Sequence, residues 1–207
     1  MQLSTAASAP STPRASTGIS GLDFILGGGL TPARLYLLEG TPGTGKTTFG
    51  LKFLMAGVAR GETGLYITLS ETAVGLRAVA ASHGWSMDGI EIFELVSEAG
   101  LTPEAEQSIL HPSEIELGET IKAVTAAIDR LNPTRVIFDS LSEMRLLAHD
   151  ALRYRRQVLA LKQFLSSRDC TVLLLDDMTS EPTDLQLHSI AHGVGSLRQA
   201  PQPLGGA

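Results

Sequence analysis

Residues Gly40-Thr41-Pro42-Gly43-Thr44-Gly45-Lys46-Thr47 fit the pattern G-x-x-x-x-G-K-[ST] at every position. Each residue type answers a need of phosphate chemistry. Glycines lack a Cβ, so successive backbone N–H groups can turn inward and form a nest for an anion. A helix opening at Lys46 would set its positive dipole end beneath that anion. The Lys46 ammonium can then meet the β- and γ-phosphates of a nucleotide, and the Thr47 hydroxyl is a hard oxygen ligand suited to Mg2+. A Gly-rich turn that merely contains Lys-Thr would have the same letters. What separates the two readings is context, a strand before the loop and a helix after it.

Such a site also needs a carboxylate at a strand end to hold Mg2+, often through water. Asp139 ends RVIFD, and Asp176 ends TVLLLD with Asp177 behind it. Spacing alone does not choose between them, and a strand-end Asp can equally cap the next turn. A third group must orient the attacking water. Glu71 stands just beyond LYITLS, where it could do that or simply favour a helix N-terminus.

The elements around these residues alternate. Arg34–Glu39 is a short apolar run, followed by a helix expected over 46–60 with Phe49, Phe53, Leu54 and Val58 on one face. Leu65–Leu69 reads as a strand, 72–82 as a helix stopped by Gly84, and Glu91–Leu95 as a third strand. Ser113-Glu114-Ile115-Glu116 fits a capping box for a helix to about Leu131, stopped by Asn132-Pro133. Arg135–Phe138 and Thr171–Leu175 are continuous apolar runs, as strands covered on both faces require, with a long helix over about 150–167 between them. This order predicts an α/β fold, a parallel sheet sandwiched by helices, with all strand C-termini on one ligand-binding edge.

The chain has 207 residues, enough for one compact domain that buries ~70% of the unfolded chain's surface without disulfides. A net charge of −6 argues against a surface built throughout for nucleic acid. One cysteine, Cys170, allows no internal disulfide and suits a reducing interior; it opens a strand-like run and reads as an inert core residue. No apolar run approaches the ~18 residues of a membrane span, and the N-terminus lacks a signal-peptide pattern, so a cytoplasmic protein is expected. Residues 1–16 and 200–207 read as flexible tails around a domain over 17–199.

Five segments occur in order: STGISGLDFILGGGL (16–30), LLEGTPGTGKTT (37–48), Gly84-Trp85, FDSLSEMRLLA (138–148) and DLQLHSIAHGV (184–194). Together they resemble the KaiC-like branch of the RecA/RadA ATPases, over about 16–199. The resemblance implies a three-layer α/β/α RecA-like P-loop fold with a mainly parallel sheet, binding ATP and Mg2+ and assembling as a homo-oligomeric ring, in relatives often a hexamer. It implies that Gly43, Thr44, Gly45, Lys46, Thr47 and Thr48 bind phosphate, that Thr47 is a Mg2+ ligand, and that Asp139 is the Walker B aspartate. Ser82 matches a nucleotide-contacting position, with Trp85 packing nearby.

Two departures from the family pattern stand out. Relatives often carry two glutamates after the second strand, the first being the usual catalytic base; here the pair is Ser70-Glu71. Relatives also continue past His-Gly-Val into strands that deliver a Lys and an Arg to the neighbour's γ-phosphate, whereas this sequence runs into QAPQPLGGA. An arginine finger contributes roughly 10³–10⁵ in rate, so slow hydrolysis, or a finger from a related ATPase subunit, is expected. A Ser/Thr autokinase of the clock-protein type is weakened for the same reason.

Arg145, Arg153, Arg155 and Arg156 lie where recombinases contact DNA, but the net charge favours a solvated helix face or a subunit interface over single-stranded DNA binding. Asp184, His188 and His192 recur every fourth residue, as metal ligands on one helix face would. Gly193 and Gly195 argue that such a helix ends there, which favours hydrogen-bonding roles. The acidic stretch 98–119 reads as a solvated excursion.

Overall fold

Arg135, which opens the strand RVIFD, has its guanidinium fully buried among three separate parts of the chain. It donates to Ser16 O (2.5 Å), to Phe53 O (2.7 Å) and to both carboxylate oxygens of Glu62 (2.5 and 3.1 Å). A buried charge is tolerated only when it is paired and bonded in this way. Gly57 leaves the room: a Cβ there would lie 2.5 Å from the Arg135 side chain.

The computed structural model describes residues 13–95, 112–148, 150–178 and 188–200. Among them the order is α1 (Ser20–Ile25), β1 (Leu35–Gly40), α2 (Lys46–Val58), β2 (Gly64–Thr68), α3 (Ala73–Ser82) and β3 (Ile90–Glu94). There follow α4 (Pro112–Leu131), β4 (Arg135–Asp139), α5 (Leu141–Ala148), α6 (Ala151–Ser166), β5 (Thr171–Asp177) and β6 (Gly193–Leu197). The acidic stretch 98–111, the Ser113–Glu116 side chains and Asp184 lie outside the described residues.

All six strands are parallel, in the order β3-β2-β4-β5-β1-β6. Alternate side chains enter two separate cores, as the strand period requires. Leu65, Ile67, Val136, Phe138, Val172 and Leu174 pack with α4, α5 and α6. Tyr66, Ile137, Leu173 and Leu175 pack on the other side with α2 and α3. Every residue of β2 and β4 is buried. The result is the three-layer α/β/α arrangement of RecA-like domains.

Local chemistry fixes the ends. Thr72 caps α3 by accepting from Gly75 N (3.0 Å), and Asp150 caps α6 by accepting from Arg153 N (2.9 Å). Asn132 takes a left-handed φ of 43° after α4, and Pro133 follows.

Three elements differ from the sequence reading. The chain at 193–197 is a strand, β6, beside β1, which the sequence reading did not include. Its glycines are packing residues: a Cβ on Gly193 would sit 3.1 Å from the Tyr36 ring, and one on Gly195 would sit 3.2 Å from Leu38. α5 follows β4 almost at once. α1 is a short helix whose Asp23 accepts from Ser16 Oγ (2.5 Å), Thr17 N (2.7 Å) and Thr17 Oγ1 (2.7 Å). That lattice orders the preceding residues, so Ala15 and Ser16, expected in the tail, are buried, and Ala15 pairs with Leu30.

Candidate nucleotide-binding site

β1 runs into the loop 40–45 and α2 begins at Lys46, which is the context the glycine-rich motif requires. Gly43 and Gly45 have φ of 81° and 94°, left-handed values that a side chain would strain. Gly45 occupies the N-cap of α2 and supplies no capping side chain. Among the described residues, the amides of Gly43, Gly45, Lys46, Thr47 and Thr48 donate to no protein acceptor. Those of 45–48 are the first-turn donors that no helix satisfies internally, gathered with that of Gly43 at the positive end of the dipole. This donor set suits an anion with several oxygens.

The Lys46 ammonium donates to Gly40 O (2.7 Å) and Thr41 O (3.2 Å) and pairs with Asp177 Oδ1 (2.7 Å). Asp177 ends β5 and lies in register with Gly40. Because β5 separates β1 from β4, the phosphate loop and the end of β4 stand two strand spacings apart, roughly 9.5 Å. The end of β5, which carries Asp177, lies between them.

The two aspartates that spacing could not separate have different surroundings. Asp139, buried at the end of β4, accepts from the Tyr66 hydroxyl at 2.5 Å. The Thr47 side chain interacts with the same phenol, so Tyr66 joins Thr47 to Asp139. Burial pushes the Asp139 carboxyl above its ordinary value; the charges of Asp177 and Glu71 add to this, against the Tyr66 bond and Lys46. Burial raises the Tyr66 phenol as well, followed by the charge of Asp139. Asp176 is occupied differently, with one oxygen accepting from Ser142 Oγ (2.8 Å) and the other from Arg145 (2.9 Å). Asp139 together with Thr47 therefore makes a donor set that fits Mg2+, a hard cation that binds few protein oxygens.

Glu71 is exposed beyond β2. Its backbone is pinned by Thr68, whose hydroxyl accepts from Glu71 N and donates to Glu71 O, both at 2.9 Å. Its carboxylate lies over the first turn of α3, with Oε2 3.2 Å from where a Cβ of Gly75 would be. Ser82 sits in the last turn of α3 and turns its hydroxyl to Val79 O (2.7 Å). The residues just after it are the ones that face the loop. His83 and Trp85 stack (ring centroids 4.5 Å apart) and line a groove of about 430 Å3 that continues from Thr44, Gly45 and Thr48. Phe49, Ile19 and Leu197 add apolar walls, and the Lys52 ammonium lies 4.2 Å from the Trp85 ring centroid. A flat apolar base next to the phosphates suits such a groove.

The sequence reading did not include Tyr66, His83 or Lys52. Tyr66 is hidden by its place in an apolar strand, and only the i, i+2 alternation of LYITL signals that it faces away from Leu65 and Ile67. The two histidines bracket β1 and share no helix face. His188 Nε2 meets Glu39 Oε2 (2.8 Å), and His192 Nδ1 accepts from Leu35 N (3.2 Å). Among the described residues no cluster of His, Cys, Asp and Glu could hold a metal ion by itself.

Comparison with known proteins agrees with this geometry. The family model described as "ATPase: KaiC" matches residues 15–200. The chain belongs to the KaiC ATPase family. A UPF0273 protein of Pyrococcus horikoshii, PH0284, is 32% identical over 193 residues, covering 90% of this chain and 77% of the relative. Circadian clock protein KaiC3 of Synechocystis is 27% identical over 174 residues, covering 84% of this chain and 34% of the relative, so the chain spans about a third of that longer protein. The crystal structure of the KaiC-like protein PH0186 from Pyrococcus horikoshii superposes with a TM-score of 0.71 at 26% identity, covering 88% of this chain and 79% of that one. As a KaiC-family domain the chain has an ATP-binding P-loop on a RecA-like fold. No helix among the described residues is long and apolar enough to cross a membrane.

Proposed function

We propose that this KaiC-family domain binds ATP with Mg2+ and hydrolyses it slowly, as one subunit of a cytoplasmic homo-oligomer with a signalling or regulatory role. The observation that carries the reading is the set of open amides at the start of α2, facing an edge that also holds Lys46 and the Tyr66-bonded Asp139. In this reading the amides of Gly43 and of 45–48 and the Lys46 ammonium hold the phosphates, the Thr44 amide being bonded to Thr41 O (3.2 Å), and Thr47 and Asp139 hold Mg2+. The cation, when bound, neutralises phosphate charge. Glu71 orients the water. Its exposed position over α3, with Ser70 in place of a second carboxylate, supports a low rate. The stacked His83–Trp85 pair offers the base a platform, with Ser82 beside it.

ATP turnover by the purified protein, set against Lys46→Ala and Glu71→Gln, tests the proposal. A wild-type protein that neither binds nor hydrolyses ATP ends it; turnover that survives Glu71→Gln removes only the role of Glu71. A second reading, nucleotide-gated assembly with little hydrolysis, is favoured by the exposed Phe24 and Ile25 of α1, 88% and 79% accessible. Light scattering with and without ATP·Mg2+ separates the two, since a monomer under both conditions contradicts assembly. Unchanged intact mass after incubation with ATP would dismiss autokinase activity. Salt-sensitive binding of labelled single-stranded DNA, lost on Arg155→Ala/Arg156→Ala, would be required of a DNA-binding role.

A further inference from the structure

We propose that Asp177 is a positioning residue that holds the Lys46 ammonium while no phosphate is present, and that a nucleotide di- or triphosphate binds by taking the ammonium from it. The inference rests on reading the 40–47 loop as a nucleotide site.

An ammonium has three N–H donors and no acceptor. Here all three are met, by Gly40 O, Thr41 O and Asp177 Oδ1. A phosphate oxygen that needs this ammonium must therefore displace one of the three. The two carbonyls belong to the loop that would wrap the phosphates. Asp177 stands on a separate strand, and its side chain is 36% exposed, so it regains water on release.

Its placement is built in from the backbone. Register pairing puts it beside Gly40, Met178 N donates to Gly40 O (3.2 Å), and Asp177 N donates to Ser142 Oγ (3.0 Å). Ser142 in turn donates to Asp176 (2.8 Å). The start of α5 thus fixes the end of β5, and with it the carboxylate that faces Lys46. The like charge of Asp177 also acts on Asp139, so a free Asp177 opposes a phosphate in the same space. The ion pair makes Lys46 less available in the free protein.

The test uses mant-ADP and mant-ATP titrations, with Mg2+ present, of wild type, Asp177→Asn, Lys46→Gln and the double variant. Asp177→Asn is expected to tighten binding about 5-fold in the wild-type background and less than about 2-fold in the Lys46→Gln background. Equal tightening in both backgrounds would reduce Asp177 to simple repulsion of phosphate and overturn the proposal, as would no change or weaker binding in the wild-type background.

Acetylation of Lys46 in the nucleotide-free protein, read by peptide mass, gives a second measure that needs no affinity. It should be several-fold faster in Asp177→Asn and suppressed by ADP, and an unchanged rate contradicts the proposal. Asp177→Ser replaces the first variant if that fails to fold. A wild-type protein that binds neither mant-nucleotide defeats the nucleotide site itself. Wild-type binding with a silent Asp177→Asn defeats only the role of Asp177.

Discussion

Asp139 and Asp176 are buried aspartates at the C-terminal ends of adjacent strands, in the same sheet and on the same edge. Asp176 meets a guanidinium and a hydroxyl, one for each oxygen, so its charge is cancelled by Arg145 and spent on joining β5 to α5. Asp139 receives a neutral phenol, which satisfies a lone pair without cancelling charge, and burial disfavours its ionised form. One carboxylate is a structural tie. The other has no cation bonded to it among the described residues, and its charge is opposed by burial and by Asp177 and Glu71. Position alone does not separate the two aspartates; the charge of the bonding partner does.

Exchanging the two residues' chemistry would break that contrast if it is misdrawn. Asp139→Asn should lower Mg2+-dependent ATP turnover at least about 100-fold, whereas Asp176→Asn should leave measurable turnover in whatever protein folds. Loss of both activities at equal stability would erase the distinction.

The next effect is on stability. Asp176→Ala leaves Arg145 with a missing partner and should cost about 3 kcal/mol, a fall in Tm of roughly 6–12 °C by calorimetry. Asp139→Asn should instead hold or raise stability at pH 7, by about 1 kcal/mol at most, because it removes a charge that burial disfavours. A large fall would show that the Tyr66 bond is structural after all.

A smaller effect sharpens the same contrast with a third carboxylate. Burial alone would raise Glu39, but the bonds from His188 and Ser196, with the charges of His188 and Arg198, bring its carboxyl below the ordinary value. A lowered folded-state value means that the unfolded chain binds the proton more readily. Its stabilisation is therefore complete above the ordinary value of 4.5 and is lost as pH falls through the folded value. Glu39→Gln should cost about 1 kcal/mol at pH 7, with the gap to wild type closing in acid, measured by urea titration at several pH values.

The legible parts of the sequence were those where one pattern dominates. Continuous apolar runs marked β4 and β5 because both faces are covered, and the P-loop spacing located the β1–α2 turn. β6 was hidden because two of its three inward positions are glycines that make room for Tyr36 and Leu38, which leaves Leu197 as the one apolar residue on that side. α1 was hidden because none of its residues is buried; side-chain bonds to Asp23 shape it. In the site, motif and strand end were visible in one dimension. The Tyr66–Asp139 bond, the Lys46–Asp177 pair and the His83–Trp85 stack join residues from different elements, so only the folded chain brings them together.

The Arg135 guanidinium draws residue 16, the middle of α2 and the turn after α2 onto one point. Lys46 opens that same helix. Trimming the protein at its N-terminus therefore has a boundary: shortening to residue 14 leaves the buried cation all its acceptors, while removing Ser16 takes one of them and leaves Phe53 O and Glu62 to hold the guanidinium beside the helix on which the phosphate loop is mounted. Expression variants meant for nucleotide work should begin at or upstream of Arg14.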